Sequence, residues 1–204
     1  MARSYLPTIY QEPKRILLPP GVRGKTVLDI GGYDGGDSAP LISRGCTRPI
    51  RVVDIGEWQQ YWHRDDATGQ WSWGWPKPRH QTDGAFLFYQ GDFMEWQEAA
   101  DIVLFHMVLY HLPDWEAAFP KLRALTKEWL ILSTYVSEGT EGWVTFYNDY
   151  ARGIPDQQVK TAYDPSDLRA RPTIPQLFHS LGQAGFRKFP ICFMMDDAIL
   201  LRCG

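Results

Sequence analysis

A cluster of glycines directly after a predicted strand is the feature that most constrains the fold of this chain. Residues 26–30 form a short apolar run with β-branched side chains, which is typical of a buried strand. The run ends at four closely spaced glycines: Gly31, Gly32, Gly35 and Gly36. Asp37 or Ser38 can then cap a helix. A strand, a glycine-rich turn and a helix in this order predict the ligand-binding edge of an open α/β sheet, because glycine lets the backbone approach a ligand closely.

Strand and helix patterns alternate along the rest of the chain, which predicts a mostly parallel sheet with helical crossovers. Further strands are predicted at residues 50–54, 86–89, 102–105 and 130–134. Helices are predicted at residues 115–126, where Pro120 predicts a kink or an early break, and at residues 175–184. Residues 189–195 and 198–202 predict a β-hairpin. The predicted fold class is therefore α/β, with a Rossmann-like, mostly parallel sheet and a C-terminal antiparallel β-hairpin.

Length, charge and cysteine content narrow the class of protein. The 204 residues suit a single domain, residues 1–204, and 44% hydrophobic residues supply enough apolar surface for one core. A net charge of -3 predicts no global electrostatic attraction to nucleic acid or anionic membranes. Three scattered cysteines favour neither a disulfide framework nor a metal site, and no apolar segment is long enough to cross a bilayer. The N-terminus lacks the pattern of a secretory signal. Together, these features predict a cytoplasmic protein with no metal ion and no membrane partner.

The glycine-rich turn does not match two common nucleotide-binding motifs. Counted from Gly31 or Gly32, the pattern G-x-G-x-x-G would need a glycine where Tyr33 or Asp34 stands. No Gly-Lys-Ser or Gly-Lys-Thr follows the glycines, so the turn is not a P-loop. Dinucleotide-dependent hydride transfer and nucleoside triphosphate hydrolysis are therefore both disfavoured.

Two longer motifs resemble class I S-adenosylmethionine-dependent methyltransferases. Residues 27–36, VLDIGGYDGG, resemble the first motif of that family, V-L-D-x-G-x-G-x-G, with Tyr33 in place of the middle glycine. Residues 101–114, DIVLFHMVLYHLPD, resemble the signature D-V-V-L-x-x-G-V-L-Y-H-L-x-D of the branch typified by tRNA wobble-uridine-modifying methyltransferases, with Met107 in place of a glycine. Residues 184–186, AGF, are similar to the segment that precedes the family's terminal strands. The resemblance implies a class I methyltransferase sheet, S-adenosylmethionine as the cofactor and S-adenosylhomocysteine as its product.

The resemblance also implies which residues contact the cofactor: Asp29, Gly31, Gly32, Gly35, Asp54, Ile55, Asp92, Phe93 and His106. Asp29 and the glycines would order the loop around the amino-acid end of the cofactor and its ammonium group. These residues end or follow predicted strands, and the carboxyl ends of parallel strands are where such sheets hold their ligands.

The remaining implied contacts follow the chemistry of the cofactor. Asp54 would accept hydrogen bonds from the two ribose hydroxyls, as a carboxylate can from a cis-diol. Asp92 would meet the adenine amino group, with Ile55 and Phe93 packed on the adenine ring. His106 would border the sulfonium. Both aspartates also have a simpler interpretation as solvated turn residues.

Two histidines, His106 and His111, are candidate general bases because histidine exchanges protons near neutral pH. A packing or helix-orienting role for His111 is an equally valid interpretation. Tyr147 and His63 are less certain candidates. A methyl sulfonium is already a strong electrophile, so a base is needed only if the acceptor carries a proton at neutral pH.

The methyl acceptor is expected to be a small molecule that reacts at oxygen or carbon. No N/D-P-P-Y/F motif is present, which disfavours methylation of adenine or glutamine amino groups. Near-neutral charge and short length favour a small acceptor. Two alternatives stay open: transfer to tRNA or another nucleic acid, which the branch resemblance and basic N-terminal residues favour, and a non-catalytic protein that only binds S-adenosylmethionine. The sequence leaves the oligomeric state open.

Three regions fall outside the predicted strands and helices of the sheet: an N-terminal arm at residues 1–24, an aromatic-rich insertion at residues 56–85 and a loop-rich acceptor-side region at residues 136–172. Six of the nine tryptophans lie between Trp58 and Trp96. Residues 57–63 are compatible with a helix, whereas residues 71–76 contain Gly and Pro and are not. The aromatic insertion forms either a local core or a lid over the acceptor pocket. In the acceptor-side region we expect loops and one short helix near residues 146–151.

Overall fold

The computed structural model describes residues 21–32, 35–55, 61–64, 71–74, 84–112, 114–138, 143–147, 168–195 and 198–204, with backbone alone for residues 61–64, 71–74, 143–147, 168–170, 193 and 195. The strands in these ranges are β1 (Val27–Ile30), β2 (Ile50–Asp54), β3 (Tyr61–Arg64), β4 (Trp71–Gly74), β5 (Phe86–Gln90), β6 (Ala100–His106), β7 (Thr126–Tyr135), β8 (Trp143–Tyr147), β9 (Leu168–Pro172), β10 (Ile191–Met195) and β11 (Ala198–Cys203). The helices are α1 (Ala39–Ser43), α2 (Trp115–Leu125) and α3 (Ile174–Gln183), and Leu109–His111 forms a 3-10 turn.

Seven strands form one sheet in the order β10-β11-β7-β6-β1-β2-β5. Five of these strands run parallel to one another, namely β5, β2, β1, β6 and β7, while β11 is antiparallel to both β7 and β10. The chain builds outward from β1 through β2 to β5 and then returns to place β6 on the other side of β1. This reversal opens a crevice at the carboxyl ends of β1 and β6, where open α/β sheets bind ligands. The predicted α/β fold and its C-terminal antiparallel hairpin are confirmed.

The central strands β1 and β6 are buried on both faces. Every residue of β1 is buried, and so is every residue of β6 except the half-buried Asp101. Their near-continuous apolar sequence is what a parallel strand needs when helices cover both of its faces. Phe119 of α2 and Leu177 of α3 join the core on one face of the sheet, and Leu41 of α1 joins a second cluster on the other. The two apolar clusters hold the sheet between the helices.

Helix α2 runs through Pro120 to Leu125, so the predicted early break is wrong. Its first turn is capped by Asp114, whose Oδ1 accepts a hydrogen bond from the Ala117 backbone N–H at 3.1 Å. Pro120 itself is exposed, but Phe119 and Leu122 are fully buried on the core-facing side. Burial of that apolar face outweighs the one backbone hydrogen bond that proline removes.

Two short antiparallel strand pairs stand where loops or helices were expected. Strand β3 pairs with β4, so the helix considered for residues 57–63 does not form at residues 61–63. Strand β8 pairs with β9, so residues 143–147 are extended, where loops and the start of a short helix were expected. The packing of the aromatic insertion, residues 148–151 and most of the N-terminal arm lie outside the described residues.

A polar clamp joins the amino-terminal ends of β1 and β6. Asp101 Oδ2 accepts hydrogen bonds from the Thr26 backbone N–H and from the Thr26 hydroxyl, each at 2.8 Å. The Asp101 backbone N–H donates back to Thr26 Oγ1 at 3.0 Å. The Thr26 backbone N–H is the main reason that the pKa of the Asp101 carboxyl lies below its usual value. The clamp holds the two central strands together at the end of the sheet opposite the ligand crevice.

Replacing Asp101 with alanine is expected to lower the free energy of unfolding by about 1–3 kcal/mol, because the two Thr26 donors lose a charged acceptor. Urea denaturation at neutral pH measures this loss. Glu98→Ala is the matched control, because Glu98 pairs with Arg51 at the surface, where an ion pair contributes about 0–1 kcal/mol. Equal losses in the two variants would contradict a stabilising clamp.

The pH dependence of the same comparison provides a second check. A carboxyl whose pKa is lowered on folding stabilises the fold above its unfolded pKa, about 3.9 for aspartate. That contribution is lost as the pH falls through the lower, folded pKa. The difference in stability between the wild type and Asp101→Ala should therefore shrink as the pH is lowered below about 4.

Candidate functional site

The carboxyl ends of the five parallel strands form one continuous edge. Three backbone hydrogen bonds extend the sheet past the strand ends, with N···O distances of 2.8–2.9 Å: Gly31 to Val53, Gly91 to Asp54, and Met107 to Ser133. The residues that follow β1, β5 and β6 are therefore held in fixed positions relative to the neighbouring strands. They lie along one edge of the sheet.

The turn after β1 excludes side chains at Gly31 and Gly35. Gly31 has a φ of 67°, and a Cβ there would lie 2.4 Å from Val108 Cγ2. Gly35 has a φ of 78°, and a Cβ there would lie 2.7 Å from the ring of Phe86. Both conformations are left-handed, which glycine adopts at little cost. Packing within the protein thus requires both glycines, and at these two positions only backbone is present.

Asp29 is a buried carboxylate packed against this turn. Only 1% of the residue is exposed, and a Cβ at Gly32 would lie 2.4–2.7 Å from its carboxyl atoms. Its Oδ2 accepts a hydrogen bond from the Ser38 hydroxyl at 2.5 Å. This placement agrees with the expected role of Asp29 in ordering the loop, while contact with a ligand ammonium stays a prediction.

Asp54 ends β2, and Asp92 follows the adjacent strand β5. Asp54 is half-buried, and Ile55 beside it is 40% exposed. Asp92 is exposed, and its Oδ1 accepts a hydrogen bond from the Met94 backbone N–H at 2.9 Å. That bond fixes the Asp92 carboxylate as part of a turn, which is the simpler of the two roles considered for it. The structure therefore brings both aspartates and Ile55 to one edge, and their contacts with a ligand stay predictions.

Phe93 lies in the core and not on the crevice surface. Only 3% of the residue is exposed, and its ring packs on Phe105 with 5.5 Å between the centroids. An enclosed ring has no face left for an adenine, so the expected packing of Phe93 on the cofactor does not agree with the structure. Its side chain instead anchors the turn after β5 to the core.

His106 ends β6 beside the crevice and is nearly buried. Its Nδ1 lies 3.0 Å from Ser133 Oγ, on the neighbouring strand β7. Ser133 is the register partner of His106, so the contact follows directly from the strand pairing. The serine fixes the plane of the imidazole, and a fixed imidazole is suited to proton transfer.

Met107, the next residue, has a left-handed backbone with a φ of 56°. It is the one non-glycine residue with a positive φ in the part of the chain that the structure describes. A side chain in this conformation costs roughly 1–2 kcal/mol, which explains why a glycine is usual at this point of the motif. The bond from the Met107 N–H to the Ser133 carbonyl oxygen holds the strained residue in place.

Several aromatic side chains near the carboxyl ends of β6 and β7 pack on one another. The ring of His111 packs on Tyr110 with 4.0 Å between centroids, and Tyr110 meets Tyr135 edge-on at 4.9 Å. The guanidinium of Arg171, at the end of β9, lies 4.6 Å from the Tyr135 ring centroid. The packing interpretation of His111 agrees with this placement, and its role as a base stays a prediction.

A family model for the methyltransferase domain matches residues 2–182. The chain belongs to the methyltransferase-domain family. This membership confirms the predicted enzyme class, an S-adenosylmethionine-dependent methyltransferase. No curated protein matches the chain significantly. The finer resemblance to the tRNA wobble-uridine-modifying branch is not confirmed by these comparisons.

Solved methyltransferase structures share the fold of the chain. One is 1,6-didemethyltoxoflavin-N1-methyltransferase of Burkholderia thailandensis with S-adenosylhomocysteine, at 17% identity, a TM-score of 0.64 and coverage of 96% of this chain and 77% of that one. Another is magnesium protoporphyrin IX methyltransferase of Synechocystis PCC 6803 with S-adenosylhomocysteine, at 17% identity, a TM-score of 0.58 and coverage of 97% and 81%. A third is human N-acetylserotonin methyltransferase with S-adenosylmethionine, at 18% identity, a TM-score of 0.54 and coverage of 87% and 46%. The ligands bound in these methyltransferases agree with the predicted cofactor.

Three polar side chains of this methyltransferase site escaped the sequence-based prediction of its functional residues. Ser38 was expected only as a possible helix cap. Ser133 has a recognisable signal, because it is a hydroxyl residue at the carboxyl end of an otherwise apolar strand. Arg171 has no such signal, because the region that contains it lacks periodicity.

Other sequence-based expectations concern residues or groups away from this edge. Tyr33 and the side chains of His63 and Tyr147 lie outside the described residues. In the described ranges, no group of three or more His, Cys, Asp or Glu side chains is arranged to hold a metal ion. None of the helices described is long and apolar enough to span a membrane.

Replacing Gly32 with alanine is expected to destabilise the protein by about 1–3 kcal/mol, because the new methyl group would overlap the buried Asp29 carboxylate. Gly91→Ala is the matched control at the same edge, since nothing lies within 4 Å of a Cβ there. We expect that control to change stability by less than about 0.5 kcal/mol. Thermal and urea denaturation measure both variants, and a Gly32→Ala variant as stable as Gly91→Ala would contradict the packing described for the turn.

Proposed function

We propose that this methyltransferase transfers a methyl group from S-adenosylmethionine to a small-molecule acceptor, at an oxygen or a carbon atom. The order of groups along the crevice edge carries the proposal. From β5 to β7, the edge presents Asp92, Asp54, the glycine-rich turn and His106 with Ser133. The cofactor presents adenine, then ribose, then a sulfonium from which the amino-acid chain and the methyl group diverge. The two orders match.

The edge is also long enough for this ligand. Adjacent strands lie about 4.8 Å apart, so the four intervals from β5 to β7 span roughly 19 Å. That length accommodates an extended nucleoside with an amino-acid chain and leaves space for an acceptor beside β7. The cofactor therefore occupies the edge from β5 to β1, and the acceptor approaches from the side of β6 and β7.

The side chains at the edge fit the polar groups of the cofactor. Asp54 accepts hydrogen bonds from the two ribose hydroxyls through its carboxylate. The turn bond to Met94 uses Oδ1 of Asp92, and Oδ2 accepts from the adenine amino group. The exposed side chain of Ile55 replaces Phe93 as the apolar contact of the adenine ring. The turn around Gly31 and Gly35 meets the amino-acid end with backbone groups.

The acceptor side supplies orientation and a base. When bound, S-adenosylmethionine supplies a strongly electrophilic methyl group, so the protein has mainly to align the acceptor and exclude water. In the tautomer with a proton on Nδ1, His106 donates to Ser133 Oγ, and its Nε2 accepts the proton of a hydroxyl acceptor. Tyr135 lies on the same face of β7 as Ser133, two residues further along, and its ring, with Arg171 stacked on it, borders the acceptor side.

Three observations support a small acceptor over a nucleic acid. The three structural neighbours described above are named for methyl transfer to 1,6-didemethyltoxoflavin, magnesium protoporphyrin IX and N-acetylserotonin. The chain has a net charge of -3, which opposes binding to a polyanion. The acceptor side is aromatic. Transfer to RNA would be recognised by binding that weakens steeply with salt.

The cofactor assignment predicts that the protein binds S-adenosylmethionine and S-adenosylhomocysteine, and that Asp54→Ala weakens both about 10- to 100-fold through loss of the ribose hydrogen bonds. Isothermal titration calorimetry measures the affinities. Glu95→Ala is the matched control, because Glu95 is exposed near Asp92 and its side chain has no proposed role in cofactor binding. NAD serves as a negative control ligand. A folded wild-type protein that binds neither ligand would overturn the proposed cofactor site.

For an acceptor with a hydroxyl group, His106→Asn is expected to lower kcat by about 10²–10⁴-fold while leaving the affinity for S-adenosylhomocysteine nearly unchanged. The asparagine amide can keep the contact with Ser133 but has no group in place of Nε2. The acceptor is first identified by a product 14 Da heavier, and the variants are then compared across pH. His111→Asn tests the second histidine, and the exposed His179→Asn is the control. Unchanged kcat and pH profile in His106→Asn would exclude His106 as the base.

A further inference from the structure

Ser38 occupies the N-cap position of α1 but does not cap the helix. A serine at this position normally accepts a hydrogen bond from a backbone N–H in the first helical turn. Here the side chain makes no such bond. Its hydroxyl lies 2.5 Å from Asp29 Oδ2 and 3.2 Å from the Gly35 carbonyl oxygen. A hydroxyl has a single proton, so it donates to the nearer, charged acceptor.

Asp29 needs hydrogen-bond donors because its carboxyl group is shielded from water. Only 1% of Asp29 is exposed, and Ser38 is completely buried. A buried carboxylate is costly unless hydrogen-bond donors compensate for its lost hydration. The Gly32 backbone packs closely against the carboxyl group. The Ser38 bond and this close packing both restrict the orientation of the carboxyl group.

We propose that Ser38 is a positioning residue for the amino-acid end of the cofactor and acts through Asp29. This inference rests on the cofactor site proposed above. The serine touches no ligand. It holds the Asp29 carboxyl group against the turn that meets the cofactor ammonium, so its removal weakens the recognition of that end alone.

Two ligands separate this role from a general structural one. S-adenosylhomocysteine carries adenine, ribose and the amino-acid end, whereas 5′-methylthioadenosine lacks the amino-acid end. We expect Ser38→Ala to weaken S-adenosylhomocysteine about 10- to 100-fold, the loss of one hydrogen bond to a charged group, and 5′-methylthioadenosine by less than about twofold. Asp54→Ala should weaken both ligands, because both carry the ribose.

Ser43→Ala is the matched control for the variant. Ser43 lies on the same helix, and its exposed hydroxyl donates to the Pro40 carbonyl oxygen at 2.9 Å. We expect this control to bind both ligands like the wild type. Circular dichroism and the melting temperature establish that each variant is folded at the titration temperature.

A double-mutant cycle tests whether the serine acts through the aspartate. In an Asp29→Asn background the carboxylate charge is absent, so Ser38→Ala should cause little further loss of affinity for S-adenosylhomocysteine. Additive losses would overturn the proposal, as would equal weakening of the two ligands or unchanged binding in a folded Ser38→Ala variant. A wild type that binds neither ligand would instead refute the cofactor site, and this inference with it.

Discussion

A carboxylate at the carboxyl end of a central, fully buried strand must be surrounded by donors, and this requirement shapes the site. Asp29 meets it with the Ser38 hydroxyl and lies so close to Gly32 that no side chain fits there. The start of α1, which Ser38 precedes, is therefore held close to β1. One buried carboxyl group thereby links the start of the helix to the glycine that packs on it.

The carboxyl edge of the parallel sheet can order the contacts of a long ligand without a separate ligand-binding domain. Each parallel strand ends at the crevice, so each contributes one or two residues at a spacing set by the backbone hydrogen bonds. The bonds that continue past the strand ends extend this order into the loops. The chemical sequence of carboxylates, glycines and histidine is thus a consequence of strand order, and a change in loop length would displace one group without disturbing the others.

The sequence predicted those parts of the fold whose patterns are local. Strands β1, β2, β5 and β6 and the terminal hairpin have continuous apolar runs bounded by turn residues, and each lies close to its predicted place. The pairs β3–β4 and β8–β9 were missed, because short strands with mixed polarity have no periodic pattern and depend on a partner remote in the chain. Pro120 was misjudged for a related reason, because burial of Phe119 and Leu122 is a tertiary effect.

Within the site, the sequence predicted which residues lie at the edge of the sheet better than it predicted the surroundings of their side chains. Asp54 and His106 lie at the crevice as motif order predicted, but Phe93 is enclosed by the core and Ser38 serves a carboxylate instead of its helix. Burial of a particular ring and the choice between two acceptors are decided by packing, which no motif encodes.

Met107 is a second residue whose surroundings the sequence does not reveal. Its replacement of a glycine was visible in the sequence, whereas the left-handed backbone that makes the replacement costly appears only in the structure. The strained backbone of Met107 is held by a bond to Ser133, so the strain lies directly beside the candidate base.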